Sequence, residues 1–365
     1  MADAAVARFE AHRGRLFSIA YRMLGSATDA EDVLQEAYLR WRRADREAVA
    51  MPGAWLATVV TRLCLNELAS ARVRREQYVG QWLPEPVLTG AAVVSERGSA
   101  VWGGSGAAPL GPLETAEQRD SVSLALLVLL ERLTPPERAV FVLREAFGYP
   151  HREIAGVLDV SEANSRQLYR RAKRAVHGSA QSARTTARTG SAAPDGEAAP
   201  EGEAAPEGTP SQTGSAPPNG SAAPGTPYRS RWSGLVETFV AAAREGDLRR
   251  LERLLAEDVV SYADGGGKVN TARRPISGRA RVARYLAGGL GRFAAGVALV
   301  PCEVNGGPAL LGVAAGRLLG VLSLDVVEGR ITTLRIIANP DKMQYAAQQL
   351  ASRGATVHGG ARSDV

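Results

Sequence analysis

The sequence predicts a multidomain protein: two all-α domains, the second carrying a helix-turn-helix, followed by an α+β domain. Three observations carry this reading. Residues 131–176 hold three helical patterns with legible start signals and a basic last helix. Residues 178–228 form a Pro-, Gly-, Ala- and Ser-rich tract with a near-repeat of GEAAPE, a composition that buries too little apolar area to order itself. After it, helical patterns give way to four strand-like runs with hairpin signals at Asn305-Gly306 and Glu328-Gly329.

The elements follow in order. Ser26 to Asp32 open a helix with Thr28 as the expected cap and Glu31 three residues on. Val33, Leu34, Ala37, Tyr38 and Trp41 supply its buried side. Ala54 to Arg75 is a second long helix, with Trp55, Val59 and Leu63 on its apolar side. Trp55 at helical spacing with Val59 reads as core rather than as a base-stacking ring. Residues 87–113 are Gly- and Ala-rich and read as linker, and helix returns near Leu113.

The best-marked stretch begins at Thr134, an N-cap followed by Pro135 at the first helical position and Glu137 in a capping box. Gly148, Tyr149 and Pro150 stop that helix. Arg152 to Leu158 is a short second helix, with Ile154, Ala155 and Leu158 inward. Asp159 and Val160 make the turn, and Asp tolerates the left-handed backbone a tight turn needs. Ser161 caps a third helix whose buried stripe is Leu168, Ala172 and Val176. Its other faces carry Arg166, Gln167, Arg170, Arg171, Lys173 and Arg174, a geometry suited to a major groove.

From Gly190 to Tyr228 the chain holds five acids and no Lys or Arg. As a flexible tether it spans about 35–40 Å on average. Beyond it, Trp232 to Arg244, Leu248 to Ala256 and Arg279 to Ala287 read as helices, and Val259 to Ala263 as a short strand. Gly296 to Val304, Ala309 to Ala315, Leu318 to Val327 and Ile331 to Ala338 read as an antiparallel sheet in a cone-shaped fold.

The chain has 365 residues and a formal charge of +6, which suits a polyanionic partner. Its two cysteines, Cys64 and Cys302, fall in different domains and form neither a metal-ligand spacing nor a disulfide framework. We expect no cofactor and no metal. The N-terminus has no apolar signal region and no run is long enough to span a membrane, so a cytoplasmic protein without a membrane partner is expected.

The first 177 residues resemble an extracytoplasmic-function (ECF) sigma factor. GSATDAEDVLQEAYLRWRR is similar to that family's core-polymerase docking stretch. WLATVVTRLCLNELASARVRRE is similar to the stretch that opens and reads the −10 element, and the helix-turn-helix to the module that reads the −35 element. WLPEP at 82–86, DGGGK at 264–268 and NPDK at 339–342 narrow the match to the ECF41, or SigJ-like, group, whose C-terminal SnoaL-like (NTF2-like) domain regulates the sigma factor in cis. The resemblance implies region 2 at 1–80, a linker with WLPEP at 81–112, region 4 at 113–177, a tether at 178–229, the SnoaL-like domain at 230–350 and a tail at 351–365. The acidic tether and the Gly-rich insert near 90–112 are longer than the group leads one to expect.

The resemblance implies partners, core RNA polymerase and promoter DNA, and assigns roles. Asp32, Gln35 and Glu36 are docking candidates, acids suited to a basic polymerase surface. Arg62, Asn66, Arg72, Arg74 and Arg75 face the −10 region, the arginines as phosphate clamps and Asn66 toward a base edge. Arg166, Gln167 and Arg170 are base-edge candidates, because Arg matches guanine and Gln adenine bidentately, while Arg171, Lys173 and Arg174 suit phosphates. Regulatory contacts fall on Trp82, Leu83, Pro84, Glu85 and Pro86, on Asp264, Gly265, Gly266, Gly267 and Lys268, and on Asn339, Pro340, Asp341 and Lys342. In this reading Asp264 and Lys268 both pin the sigma domains by charge. Two other functions stay open on residues alone: an ordinary helix-turn-helix regulator with a ligand domain, and an enzyme, for which Asp325 on a strand is the pocket acid to consider.

Overall fold

Three helices, α1 (Ala2–Leu24), α2 (Ala27–Arg43) and α3 (Pro52–Glu76), build the first domain of the computed structural model, which describes residues 2–45, 48–76, 78–90, 123–189, 232–293 and 297–352. Trp41 is fully buried where the three helices meet, its indole N–H donating to the Ala5 carbonyl at 3.0 Å and its ring tilted against Trp55 at 5.6 Å. Trp55 is thereby a core residue. The cap of α2 is Ser26, not Thr28: the Ser26 hydroxyl accepts the Asp29 N–H, while the Thr28 hydroxyl is taken by Glu85 from a distant segment.

The second domain holds α4 (Leu124–Leu130), α5 (Pro135–Phe141), α6 (His151–Leu158) and α7 (Glu162–Thr189). At the start of α5 the Thr134 N–H donates to the Glu137 carboxylate at 3.1 Å, the return bond of a capping box, and the Thr134 hydroxyl also donates to it at 2.7 Å. A π-helical turn at Val142–Ala146 ends this segment before Gly148. Asp159 closes α6 in the left-handed conformation, at φ 56° and ψ 49°. Helix α7 runs on to Thr189, past the boundary at 178 expected for the tether. Residues 91–122 and 190–231, which include nearly all of the Gly-rich insert near 90–112 and most of the tether expected at 178–229, lie outside the described residues.

The C-terminal domain packs α8 (Ser233–Glu245), α9 (Leu248–Leu254) and α10 (Arg279–Phe293) on one face of a six-stranded sheet. Its strands are β1 (Leu255–Asp264), β2 (Ile276–Ser277), β3 (Ala298–Val304), β4 (Gly307–Ala314), β5 (Arg317–Val327) and β6 (Arg330–Ile337), in the order β2-β1-β6-β5-β4-β3. The sheet is mixed, not wholly antiparallel, because β1 pairs β6 in parallel. Helix α10 lies between β1 and β6 in the chain, and a parallel pair needs such a crossover. Both expected hairpin turns have positive φ at both central residues: Asn305 and Gly306, then Glu328 and Gly329. A third such turn sits at Ala315-Gly316, with φ of 48° and 74°. A 3₁₀ turn (Pro340–Met343) and α11 (Gln344–Ser352) complete the domain.

Period-2 alternation gives the sheet two faces with different uses. Leu310, Leu322 and Leu334 pack with Phe239 against the helices. Val300, Cys302, Leu311, Val321 and Ile337 join the core of the two helical domains instead, and Tyr345 stacks on Phe17 of α1 at 5.7 Å. One apolar cluster therefore runs from the first domain through the second to the sheet.

Ala315 supplies a direct test of turn strain, since a left-handed backbone costs an L-residue about 1–2 kcal/mol and Asn less. Ala315→Asn should raise the unfolding free energy by about 0.5–1 kcal/mol, read from urea titration.

Candidate nucleic-acid and polymerase interface

The helix-turn-helix presents the side chains expected of it. Ala172 is fully buried under α7, and Ser165 is buried with its hydroxyl 3.0 Å from the His151 ring. Arg166, Gln167, Arg170, Arg171, Lys173 and Arg174 are all exposed. The Arg166 guanidinium is held by Glu162 one turn earlier, at 2.5 Å. Burial pushes the His151 imidazole below its ordinary pKa, helped by the nearby Arg144 and Arg166 cations.

The −10 candidates divide. Asn66 is exposed on α3. Arg62 is engaged: its Nε donates to the Val157 carbonyl at 2.9 Å and its Nη2 to that of Gly156 at 3.2 Å, both on α6. Arg72, Arg74 and Arg75 continue α3, and their side chains lie outside the described ones. Of the docking candidates, Asp32 and Gln35 are exposed, and Glu36 pairs with Arg40 at 2.9 Å. Asp32, Glu36, Asn66 and Glu67 line a groove of about 870 Å³, whose opposite wall is Trp82 and Asp341. Two docking candidates, Asp32 and Glu36, and one −10 candidate, Asn66, thus share one groove with the WLPEP and NPDK motifs, while Gln35 and Arg62 are not part of its lining.

Residues 78–90 form an extended strap between the first and C-terminal domains, held on both sides by named hydrogen bonds. On one side Glu85 sits over the N-terminus of α2. Its carboxylate accepts from the N–H groups of Ala27 and Thr28 at 2.9 and 3.0 Å and from the hydroxyls of Ser26 and Thr28 at 3.0 and 3.1 Å. The free N–H groups and dipole of a helix start favour an anion there. Trp82 packs against Gly25, whose φ is +67° and where an added Cβ would lie 2.9 Å from the indole. The Tyr21 hydroxyl donates to the Glu85 carbonyl at 2.6 Å and accepts from Asn305 at 2.8 Å, tying α1, strap and sheet together.

On the other side Asp264, fully buried at the end of β1, accepts from the Tyr78 hydroxyl at 2.5 Å, the Leu83 N–H at 2.8 Å and the Lys342 ammonium at 2.7 Å. Lys342 also donates to the Leu83 carbonyl and lies over the Trp82 and Tyr78 rings, at 4.1 and 4.8 Å from their centroids. Asn339 donates to the Tyr78 hydroxyl at 2.8 Å. Further along, Asn305 exchanges hydrogen bonds with Val87, and Gln349 with Leu88. DGGGK and NPDK therefore converge on WLPEP, with one change from expectation. Lys268 pairs with Asp341 of its own domain at 2.7 Å, and the cation that reaches the strap is Lys342. Gly266 is required where it stands, at φ +58° with Asn339 2.4 Å from the position of an added Cβ.

Sequence reasoning missed Tyr21, Tyr78, Asn305 and Gln349. Asn305 was visible only as a turn residue, and its turn conformation is what aims the side chain at the strap. Asp325 pairs with Arg335 at 2.7 Å, and its neighbours Leu324 and Val326, not Asp325 itself, belong to the cluster under the helices. The interior between helices and sheet is lined by the apolar side chains of that cluster. Among the described residues no group of His, Cys, Asp and Glu is placed to hold a metal, and no helix is long and apolar enough to cross a membrane.

Two measurements probe the clamp. Removing one member of a buried pair leaves the other uncompensated, so Lys342→Met should cost about 3–5 kcal/mol in urea unfolding. Asp264→Asn with Lys342→Met should cost less than the sum of the single changes. Burial also raises the Glu85 pKa above the ordinary carboxylate value, outweighing its hydrogen bonds. An acid whose folded pKa is raised favours the folded form while protonated, and that contribution is lost as pH rises from the unfolded pKa through the folded one. The melting temperature of the wild-type chain minus that of Glu85→Gln should therefore fall as pH is raised through that window. A flat difference would show that the carboxylate is fully compensated.

Comparison with known proteins agrees with this geometry. Residues 8–74 match the family Sigma-70 region 2, and residues 123–176 match Sigma-70, region 4. The ECF RNA polymerase sigma factor SigJ of Mycobacterium tuberculosis is 36% identical over 346 residues, 92% of each chain. The probable ECF RNA polymerase sigma factor SigI of the same species is 29% identical over 350 residues, 95% of this chain and 98% of its own. The crystal structure of M. tuberculosis SigJ superposes with a TM-score of 0.61 at 32% identity, covering 93% of this chain and 98% of that one. With both sigma regions in order and the similarity to SigJ extending through the C-terminal domain, the chain belongs to the ECF sigma factors, which give RNA polymerase its promoter specificity.

Proposed function

We propose that the C-terminal domain regulates this sigma factor in cis by clamping the strap, and that the arrangement described is a closed form. The observation that carries this is the strap itself, bonded to α2 through Glu85 and to the C-terminal domain through Asp264 and Lys342. Closure follows from distance. Promoter elements about 16–17 base pairs apart are separated by roughly 55 Å at 3.4 Å per pair. Here regions 2 and 4 share one core: Arg138 of α5 donates to the Met23 carbonyl of α1 at 2.7 Å, and Arg15 lies over the Tyr149 ring at 5.1 Å. Both modules reach their elements only once that core has parted, and residues 91–122 have the length to allow it, about 100 Å at 3.3 Å per residue.

In this reading core polymerase docks on the α2 face that carries Asp32, Gln35 and Glu36, and Asp32 and Glu36 also line the groove between α2, α3 and the strap. Asp341 and Trp82 form its far wall, so a released clamp leaves the groove wider. The chain works as a binding protein in the cytoplasm, without chemistry or a cofactor of its own; the ion-paired Asp325 and the apolar interior favour this over catalysis.

Run-off transcription with core polymerase at equal concentrations of full-length protein, Asp264→Asn and a chain ending at Tyr228 tests the regulation. We expect several-fold more transcript from the released forms. Equal yields would make the C-terminal domain a passenger, and lower yields would make the clamp an activator. On DNA, Arg166→Ala or Arg170→Ala should cost about 1–3 kcal/mol and relax preference at one −35 position. Lys173→Ala should weaken all sequences alike and lower the salt slope by about one unit. Sequence-blind losses from all three would show that the base-reading face lies elsewhere.

A further inference from the structure

We infer that Arg62 is a contested residue: in the closed form its Nε–Nη2 edge caps helix α6 of region 4, and that edge must leave the carbonyls before it can clamp a promoter phosphate, so closure and −10 binding compete for one donor fork. The inference rests on the reading of α3 as the −10 surface and adds to it the means by which region 4 masks that surface.

The argument begins with the end of α6. The last carbonyls of a helix have no partner within it, and together they carry partial negative charge. Asp159 turns the chain left-handed, and the N–H groups of Asp159 and Val160 both go back to Ala155. The next two carbonyls, Gly156 and Val157, are the pair that Arg62 takes from the other domain, with separate nitrogens at 3.2 and 2.9 Å. A planar guanidinium spans two such acceptors, and a cation is stabilised at a helix C-terminus. These are also the requirements of a phosphate clamp: a fixed positive charge and a fork of donors. Arg62 is exposed, but its Nε–Nη2 edge is filled by the two carbonyls, so a phosphate clamped on that edge must displace them. The position matters as well, because Arg62 lies one helical turn from Asn66, which is exposed on the same helix. Gly156 is exposed and an added Cβ there would meet no neighbour, so the contact is made through backbone carbonyls that no side-chain change on α6 would remove.

Two consequences follow by linkage. Nucleic acid bound at α3 must loosen α6, and loss of the Arg62 side chain must loosen it without nucleic acid. A role confined to packing would give the second effect and not the first.

Hydrogen exchange on the full chain separates them. The amides of 151–158 report release of α6, and those of β3 to β6 report whether the rest of the fold is intact. Arg62→Ala should speed exchange in α6 by about tenfold, the effect of losing roughly one good polar contact, with the strands unchanged. Arg62→Lys keeps a charge for a phosphate but cannot bridge two carbonyls, so it should exchange like the Ala variant while keeping most of its affinity for single-stranded DNA, measured by fluorescence anisotropy. Adding short single-stranded DNA of randomised sequence should speed α6 exchange in the wild-type chain and leave that of Arg62→Ala where it already is. The inference is overturned if the DNA binds while wild-type α6 exchange stays the same or slows, if Arg62→Ala exchanges like wild type, or if no single-stranded DNA binds. Failure of the sigma-factor reading itself shows elsewhere, as loss of promoter-directed run-off transcript by the wild-type protein.

Discussion

The arrangement depends on a buried ion pair placed where three parts of the chain meet. Asp264 and Lys342 come from one domain, yet both also bond to the strap, Asp264 to Tyr78 and Leu83 and Lys342 to Leu83. A buried charge is tolerated only with its partners in place. The pair therefore makes the position of the strap a condition for the C-terminal domain's own stability. Glu85 imposes the matching condition on the first domain, since its carboxylate is buried against the start of α2. A peptide strip held only by apolar contact could slide. This one is fixed in register by carboxylates at both sides.

The apolar cluster explains why these polar contacts are placed so exactingly. It passes from α1 through region 4 to the outer face of the sheet, where Phe17 stacks on Tyr345. Such a surface supplies area without orientation. Orientation comes from the polar groups around it: Tyr21 to Glu85 and Asn305, Arg138 to Met23, Arg62 to α6. Each of these reaches a backbone carbonyl or the groups that bind one, so the domains recognise one another largely through main chain.

Local signals were legible and long-range partnerships were not. The capping box at Thr134, the left-handed Asp159 and the Asn305-Gly306 turn follow from residue chemistry within a few positions, and they stand as read. The cap of α2 was misread because the Thr28 hydroxyl is claimed by Glu85, which nothing near Thr28 announces. The parallel pairing of β1 with β6 leaves no trace in either strand's pattern, and two-residue β2 is too short to show alternation. The motifs WLPEP, DGGGK and NPDK could be singled out, but which cation faces the strap depends on the fold. Lys268 and Lys342 differ in sequence only by their neighbours, yet one is on an exposed rim and the other is buried beneath Trp82.

The same contrast bears on what the C-terminal domain contributes. A fold of helices over a sheet offers its interior for ligands and its outer face for other proteins. In this chain the interior is occupied by Phe239, Leu310, Leu322 and Leu334, while the outer face and the rim carry the buried pair, Asn305 and Tyr345. Ionisable groups are costly to bury and persist where they have partners. Here Asp264 and Lys342 partner each other and complete their bonding on the strap. The polar residues on the rim of the domain are thus bonded to the strap and, through Asn305, to α1.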